Sequence, residues 1–339
     1  MSSIESRLIE NIIDQSVEAF SFTERVEMGE LKVTLETIKT SLRLGGSLEA
    51  DYDIPTPKFL LSHPLTLSQR KQVDDFLGSY YAQESVELQD KVTQIPIKEN
   101  YEPMVFLSAI FEKHKLPVSF SDIPFNPACE EWANKPRVFW TRQSLAEKLV
   151  SLGKALATVD LFLHFEDAFR PVGVQEGLFK RRIEWILKDY PEWDDSKVIT
   201  EARSKTAVTP RLASHKSGAA VDITLRRFST GEPLDLGNKY PEGGALVALD
   251  CPFVTYSQWQ TRQIFANSVR MAGLEVYPGE DWHASYGDNL HAFFSGKTAK
   301  FGPVKDFSLD NGRILEVYSP EEFDRNFLNS EVISLMRKN

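Results

Sequence analysis

Two short stretches carry side chains that could hold a metal ion and use it. The first is Ser214-His-Lys-Ser-Gly-Ala-Ala-Val-Asp-Ile-Thr-Leu225, and from Ala219 onward it alternates. Ala219, Val221, Ile223 and Leu225 fall on one face, with Ala220, Asp222 and Thr224 on the other. That is the pattern of a half-buried β-strand with a carboxylate on its polar face. A helix would also bring His215 and Asp222 together, but Gly218 and the β-branched Val221, Ile223 and Thr224 oppose one. On a straight strand His215 and Asp222 would face opposite ways, so the chain must bend between them, and Gly218 offers the place.

Neutral imidazole and carboxylate are both good zinc ligands, and a catalytic zinc takes three protein ligands plus water. A third ligand and a general base are therefore needed elsewhere. Gly279-Glu-Asp-Trp-His-Ala-Ser-Tyr286 supplies candidates for both, because Glu280 and His283 stand three apart just after a Pro278-Gly279 turn. Either stretch alone reads as ordinary satisfied polar groups. Together they point to a metal.

The order and spacing resemble a known family. His-x6-Asp followed downstream by Glu-x-Trp-His is similar to the zinc peptidases of the D-alanyl-D-alanine dipeptidase and carboxypeptidase family, and the dipeptidase branch is the nearer. That branch's Ser-x-His-x-x-Gly-x-Ala-x-Asp segment compares with Ala213-Ser-His-Lys-Ser-Gly-Ala-Ala-Val-Asp222, and its Asp-Gly-Tyr-Arg-Pro segment with Asp167-Ala-Phe-Arg-Pro171. The similarity runs from roughly Ile95 to about Phe294. The resemblance implies zinc held by His215, Asp222 and His283, with Glu280 as general base and Arg170 as oxyanion partner. Arg170 has a competing use, an ion pair with Asp167 or Glu166, and Asp281 lies one position from the expected base. Of the other histidines, His164 in its apolar strand reads as a satisfied core residue, and His291 is a candidate for supporting a ligand.

Two positions depart from the dipeptidases. Where that branch has a serine and an aspartate that help bind a free amino terminus, this chain has Ala213 and Pro241, with Glu242 adjacent as a substitute. The catalytic set is complete while the specificity set is not. The expected function is zinc-dependent hydrolysis of a small peptide, foremost a D-alanyl-D-alanine-type dipeptide. The alternatives are a carboxypeptidase or amidase acting on a cell-wall peptide or another small amide, and a non-catalytic zinc-stabilised binding module.

The elements that must position these groups follow from the pattern of the chain. Its 339 residues suffice for a sizeable core, and 42% apolar with 26% charged residues is an ordinary globular balance. A net charge of −10 opposes binding to nucleic acid or anionic membranes. The expected partner is a small peptide substrate. Cys129 and Cys251 form no disulfide framework and no Cys-x-x-Cys site, and Met-Ser-Ser-Ile-Glu-Ser-Arg at the start lacks the organisation of a secretory signal. The expected location is the cytoplasm.

Ile4 to Phe20 carries apolar residues at helical spacing, 31–44 is ambiguous, and 68–82 reads as a helix. Residues 1–90 are read as a mainly helical N-terminal extension and 91–339 as the catalytic domain. Within the latter, Thr141 is the expected N-cap of a helix carrying Leu145, Leu149, Leu152 and Leu156. Residues 160–165 read as a buried strand delivering Asp167 and Arg170, and a helix follows Pro171. Residues 194–211 are expected to be a loop, 256–273 a helix, 274–277 and 282–286 short strands, and 313–318 an edge strand. Helices interleaved with hairpin-like strands indicate an α+β fold. The resemblance implies the same, a small antiparallel sheet flanked by helices, of the D-alanyl-D-alanine dipeptidase/hedgehog type.

Overall fold

The long helix α1 (Leu67–Val92) buries Val73, Leu77 and Leu88 and runs further than its apolar spacing suggests. The computed structural model describes residues 61, 63–171, 173–207 and 209–323, together with 333 and 337. The helix expected near residues 4–20, the ambiguous 31–44 segment and most of the C-terminal tail lie outside the described residues.

After α1 come β1 (Met104–Phe106), α2 (Leu107–Lys113), β2 (Val118–Phe120) and β3 (Trp140–Arg142). Next are α3 (Gln143–Ala157), β4 (Leu161–Asp167), α4 (Val174–Asp189) and α5 (Asp195–Lys205). The remainder is β5 (Ala220–Arg227), α6 (Tyr256–Met271), β6 (Glu275–Val276), β7 (His283–Ser285), α7 (Asn289–Ser295), β8 (Val304–Phe307), β9 (Ile314–Val317) and α8 (Pro320–Phe323). The fold is α+β.

Two compact units are present, each built from separated stretches. The smaller takes the described residues up to Tyr81 with Leu234–Asn267 and Pro278–Asp281. Its core joins Leu61, Val73 and Leu77 to Leu246, Cys251, Phe253 and Val254. Arg262, wholly buried there, donates to the carbonyls of Leu236, Leu246 and Ala248 and so ties the unit's loops to α6.

The larger unit holds Ala82–Pro233, Ser268–Tyr277 and the chain from Trp282. Its main sheet has the order β2-β4-β5-β7-β6. The sheet is not purely antiparallel: β2 lies parallel to β4, and the other pairs are antiparallel. Leu163 and Phe165 of β4 are buried, and the Phe165 ring meets Phe111 of α2 edge-on at 5.6 Å. β8 and β9 form a separate hairpin, with the expected 313–318 strand as one arm.

Two expectations fail locally. Thr141 belongs to β3, and Arg142 takes the cap position of α3 without a side-chain cap bond. The capping acceptor comes from afar, since the Ser144 amide donates to Glu102 Oε1 at 2.6 Å. Residues 194–211 are also not all loop. Asp194 accepts from the Lys197 amide at 2.9 Å and starts α5, whose Val198 and Ala202, one turn apart, are buried against Phe179, Ile183 and Ile186 of α4. A one-sided stripe that narrow in a polar segment gives almost no periodic signal.

Candidate metal centre

β5 is central because its odd-numbered residues are buried apolar groups, Val221, Ile223 and Leu225, while Asp222 points to the other face. Just before it, Ser214–Ser217 form one tight 3-10 turn that ends at Gly218, with φ +68°. That left-handed residue is the bend, and it lets His215 and Asp222 approach each other. On the other side β7 pairs antiparallel with β5, with His283 directly opposite Asp222. Directly opposed residues on one face are neighbours by construction.

The result is a buried group of three donors. One potential ligand atom from each of His215, Asp222 and His283 lies within 4.8 Å of the others. His215 Nε2 and His283 Nδ1 are each 3.2 Å from Asp222 Oδ1, and the two rings meet at 5.0 Å between centroids. His215 Nδ1 is 2.7 Å from the Ala168 carbonyl. A carbonyl oxygen can only accept, so Nδ1 carries a proton and Nε2 is the nitrogen left to face Asp222. An imidazole nitrogen and a carboxylate oxygen at that distance can share a proton or a metal cation. Ligands bound tetrahedrally at about 2.1 Å stand about 3.4 Å apart, close to both observed separations. The donor set fits zinc.

Electrostatics agree. Burial pushes the Asp222 carboxyl up, but His215, His283 and Arg170 around it together hold it well below the usual carboxylate range. The carboxylate is thus ionised and ready to ligate.

Arg170, on the loop after β4, is held on three sides. Its Nε donates to Asp167 Oδ2 at 3.0 Å, Nη1 to Gln175 Oε1 at 3.0 Å, and Nη2 to Asp222 Oδ2 at 3.3 Å. The ion pair with Asp167 is therefore present, and the same guanidinium also reaches the candidate ligand. Asp167 is shared with Arg137, whose Nη1 is 2.7 Å away. The Asp167 link is visible in the sequence as Asp-x-x-Arg. Arg137 and Gln175 carry no comparable signal, being brought in by the 136–138 segment and the start of α4.

Glu280 is half-buried on the turn that precedes β7. Asp281, its neighbour, is fully buried within the smaller unit, where Asn238 Nδ2 donates to it at 3.2 Å and Arg262 Nη2 is 3.8 Å away. Its Oδ2 makes no hydrogen bond, and burial pushes its carboxyl up to about 7 despite Arg262 nearby. Glu242 is also engaged, accepting from Arg70 Nη2 at 2.5 Å and from the Lys239 amide at 3.2 Å. His164 is buried and partnered, with Ser119 Oγ 2.7 Å from its Nδ1. His291 stacks edge-on with Tyr286 at 4.8 Å and lies 3.4 Å from Ser295 Oγ.

One buried acidic group missed by sequence reasoning follows β7. Asp288 caps α7: its buried Oδ1 accepts from the His291 amide at 2.8 Å, while Oδ2 makes no hydrogen bond.

Comparison with known proteins places this geometry. The family model described as D-ala-D-ala dipeptidase matches residues 133–301. A D-alanyl-D-alanine dipeptidase from Synechocystis sp. is 30% identical over 152 residues, covering 38% of this chain and 60% of the relative. One from Enterococcus faecium is 26% identical over 152 residues, covering 41% of this chain and 69% of its own length. The chain thus spans 60% and 69% of the two curated relatives. Among solved structures, a vancomycin-resistance D,D-pentapeptidase in complex with Zn(II) overlays with a TM-score of 0.31 at 14% identity, covering 49% of this chain and 83% of that one. An LD-carboxypeptidase gives 0.33 at 18% identity, covering 59% and 78%. Both overlays are loose. Residues 133–301, which include His215, Asp222 and His283, are thus similar to the D-Ala-D-Ala dipeptidase family of peptidases.

Proposed function

We propose that the chain is a zinc metallopeptidase that hydrolyses a small peptide, foremost a D-alanyl-D-alanine-type dipeptide. The observation that carries this reading is the buried His215–Asp222–His283 donor set, inside the family-matched stretch. Zinc, when bound, lowers the pKa of a coordinated water to about 7 and polarises the substrate carbonyl. His215, Asp222 and His283 hold the metal, with the Ala168 carbonyl fixing the His215 tautomer. Glu280 acts as general base, taking a proton from water and later delivering it to the leaving amine. Arg170, held in place by Asp167 and Gln175, stabilises negative charge that develops on the carbonyl oxygen.

A second reading is supported by the residues at the family's amino-terminus-binding positions. Ala213 and Pro241 offer no charge, and Glu242 is already engaged by Arg70. A carboxypeptidase or amidase that accepts a longer peptide or another small amide needs no such charge. Within the described residues no helix is long and apolar enough to cross a membrane. Two buried free thiols are consistent with a cytoplasmic location.

The test is a screen of D- and L-dipeptides with zinc-loaded protein, with and without chelator, beside a longer peptide ending in the preferred pair. We expect about one zinc per chain, lost in His215→Ala. Glu280→Gln should keep zinc and fold and lose hydrolysis by several orders of magnitude. Absence of stoichiometric zinc in the wild type would sink the proposal, and so would unchanged turnover in Glu280→Gln.

A further inference from the structure

The face of the sheet that carries Asp222 continues as a row of polar groups away from the metal centre. Thr224 follows Asp222 on β5, and its hydroxyl donates to Glu166 Oε1 at 3.2 Å. His164, opposite Thr224 on β4, brings Nε2 to 3.5 Å from the same Glu166 oxygen. Beyond it Ser119 of β2 completes the row at 2.7 Å from His164 Nδ1.

Glu166 holds an irregular position in this row. Phe165 pairs with Ile223 and Asp167 with Asp222, so Glu166 is the extra residue of a β-bulge set directly against the candidate ligand. Bulges re-aim a side chain and recur beside active sites. The carboxylate is nine-tenths buried, yet among the described residues no lysine or arginine pairs with it, and its Oε2 makes no hydrogen bond. Its neighbours are a hydroxyl and an imidazole. If the Ser119 hydroxyl donates to Nδ1, His164 is neutral and offers only one N–H. A buried carboxylate so poorly compensated is costly by itself and favours a cation brought from outside.

We infer that Glu166 is a specificity-determining residue that binds the free α-ammonium of the substrate, in place of the family positions that are here Ala213 and Pro241. This rests on the peptidase reading given above. Same-face neighbours on a strand are about 7 Å apart, so Glu166, bonded to Thr224, stands about one such step from Asp222. An α-amino nitrogen lies about 2.5 Å from its own carbonyl carbon, and a charged hydrogen bond adds about 2.8 Å. One amino-terminal residue therefore spans the gap between a carbonyl at the metal centre and Glu166, and a longer amino-terminal extension would place its ammonium out of reach. The substrate class is an unacylated dipeptide.

The test compares zinc-loaded wild-type protein with Glu166→Gln, using D-alanyl-D-alanine and its N-acetylated form, by calorimetry and by hydrolysis. Wild type should bind the free dipeptide at least tenfold more tightly than the acetylated one. Glu166→Gln should lose that preference while binding the acetylated form as before and retaining its zinc. Equal weakening of both ligands, a preserved preference, or no binding of either by wild type overturns the inference. Hydrolysis on the same samples separates the two readings. A charge preference that disappears in Glu166→Gln without any turnover by wild type leaves the ammonium site standing and defeats the peptidase. Turnover with an unchanged preference does the reverse. If Glu166→Gln does not fold, Glu166→Asp withdraws the charge by one methylene and should cut the preference at least threefold; an unchanged preference there overturns the inference too.

Discussion

Arg170 spreads one planar guanidinium over Asp167, Gln175 and the outer oxygen of Asp222. A lysine keeps the charge but cannot serve three directions at once. Arg170→Lys should therefore weaken zinc binding about 10–100-fold, the usual effect of losing a group that orients a ligand. If the guanidinium also meets the developing oxyanion, kcat falls by about 10²–10³ at saturating zinc. Chelator competition and steady-state kinetics on the same variant separate the two effects. His291 offers a second test. Burial first, and then Lys297, Lys148 and Lys300, push its imidazole down to about 4. The unfolded chain binds the proton near pH 6.5 and the folded one only near 4, so stability is complete above the first value and falls as pH drops toward the second. The loss should reach about 3 kcal/mol in urea unfolding of the wild type, and His291→Gln should show a flatter curve over that window. At this scale the sequence was informative about His215, Asp222 and His283, because their spacing follows from one strand, one glycine bend and one paired strand. It was silent on the contact between Glu166 and Thr224, which sheet register creates, and on Asp288, whose partner is the His291 amide at the start of α7.

At the scale of elements, α4 carries a glycine whose importance its helix propensity conceals. A helical Gly→Ala change usually stabilises by up to about 1 kcal/mol. At Gly177 a new Cβ would meet the Ala128 carbonyl oxygen at 2.5 Å and Cys129 Cα at 2.8 Å, which are backbone atoms. The 128–129 segment cannot yield as a flexible side chain would, so Gly177→Ala should destabilise by roughly 1–3 kcal/mol, read from the shift in urea midpoint. A gain in stability would show that the helix lies further from that segment. The same distinction explains which elements were legible. β5 alternates and α3 has helical apolar spacing because one face of each is buried, while β4, buried on both faces, shows as a near-continuous apolar run. β2 is only three residues long and half-buried throughout, so neither its existence nor its parallel pairing could be inferred from alternation. The α5 helix was hidden by a polar surface, and the true cap of α3 is Glu102, far upstream of any local motif.

For the molecule as a whole, the two cysteines report on different compact units. Cys251 lies in the smaller unit among Leu61, Val73 and Phe253, and Cys129 in the larger beside Phe125 and Val174. Both are buried and free. Burial pushes the Cys251 thiol up to about 12, despite Arg262 nearby, and raises Cys129 as well against the opposing pull of Arg170. Since thiolate is the reactive form, a thiol of pKa 12 is ionised to about one part in 10⁴ at pH 8, and steric exclusion slows attack further. Native protein should therefore resist iodoacetamide at both positions over minutes at pH 8, while both label at the rate of a free thiol in concentrated urea. Following each labelled peptide by mass spectrometry along a urea gradient then gives one unfolding curve per unit. Rapid native labelling of Cys251 would mean that the core of the smaller unit is open to solvent, contrary to the packing of Leu61, Leu77 and Val254 around it.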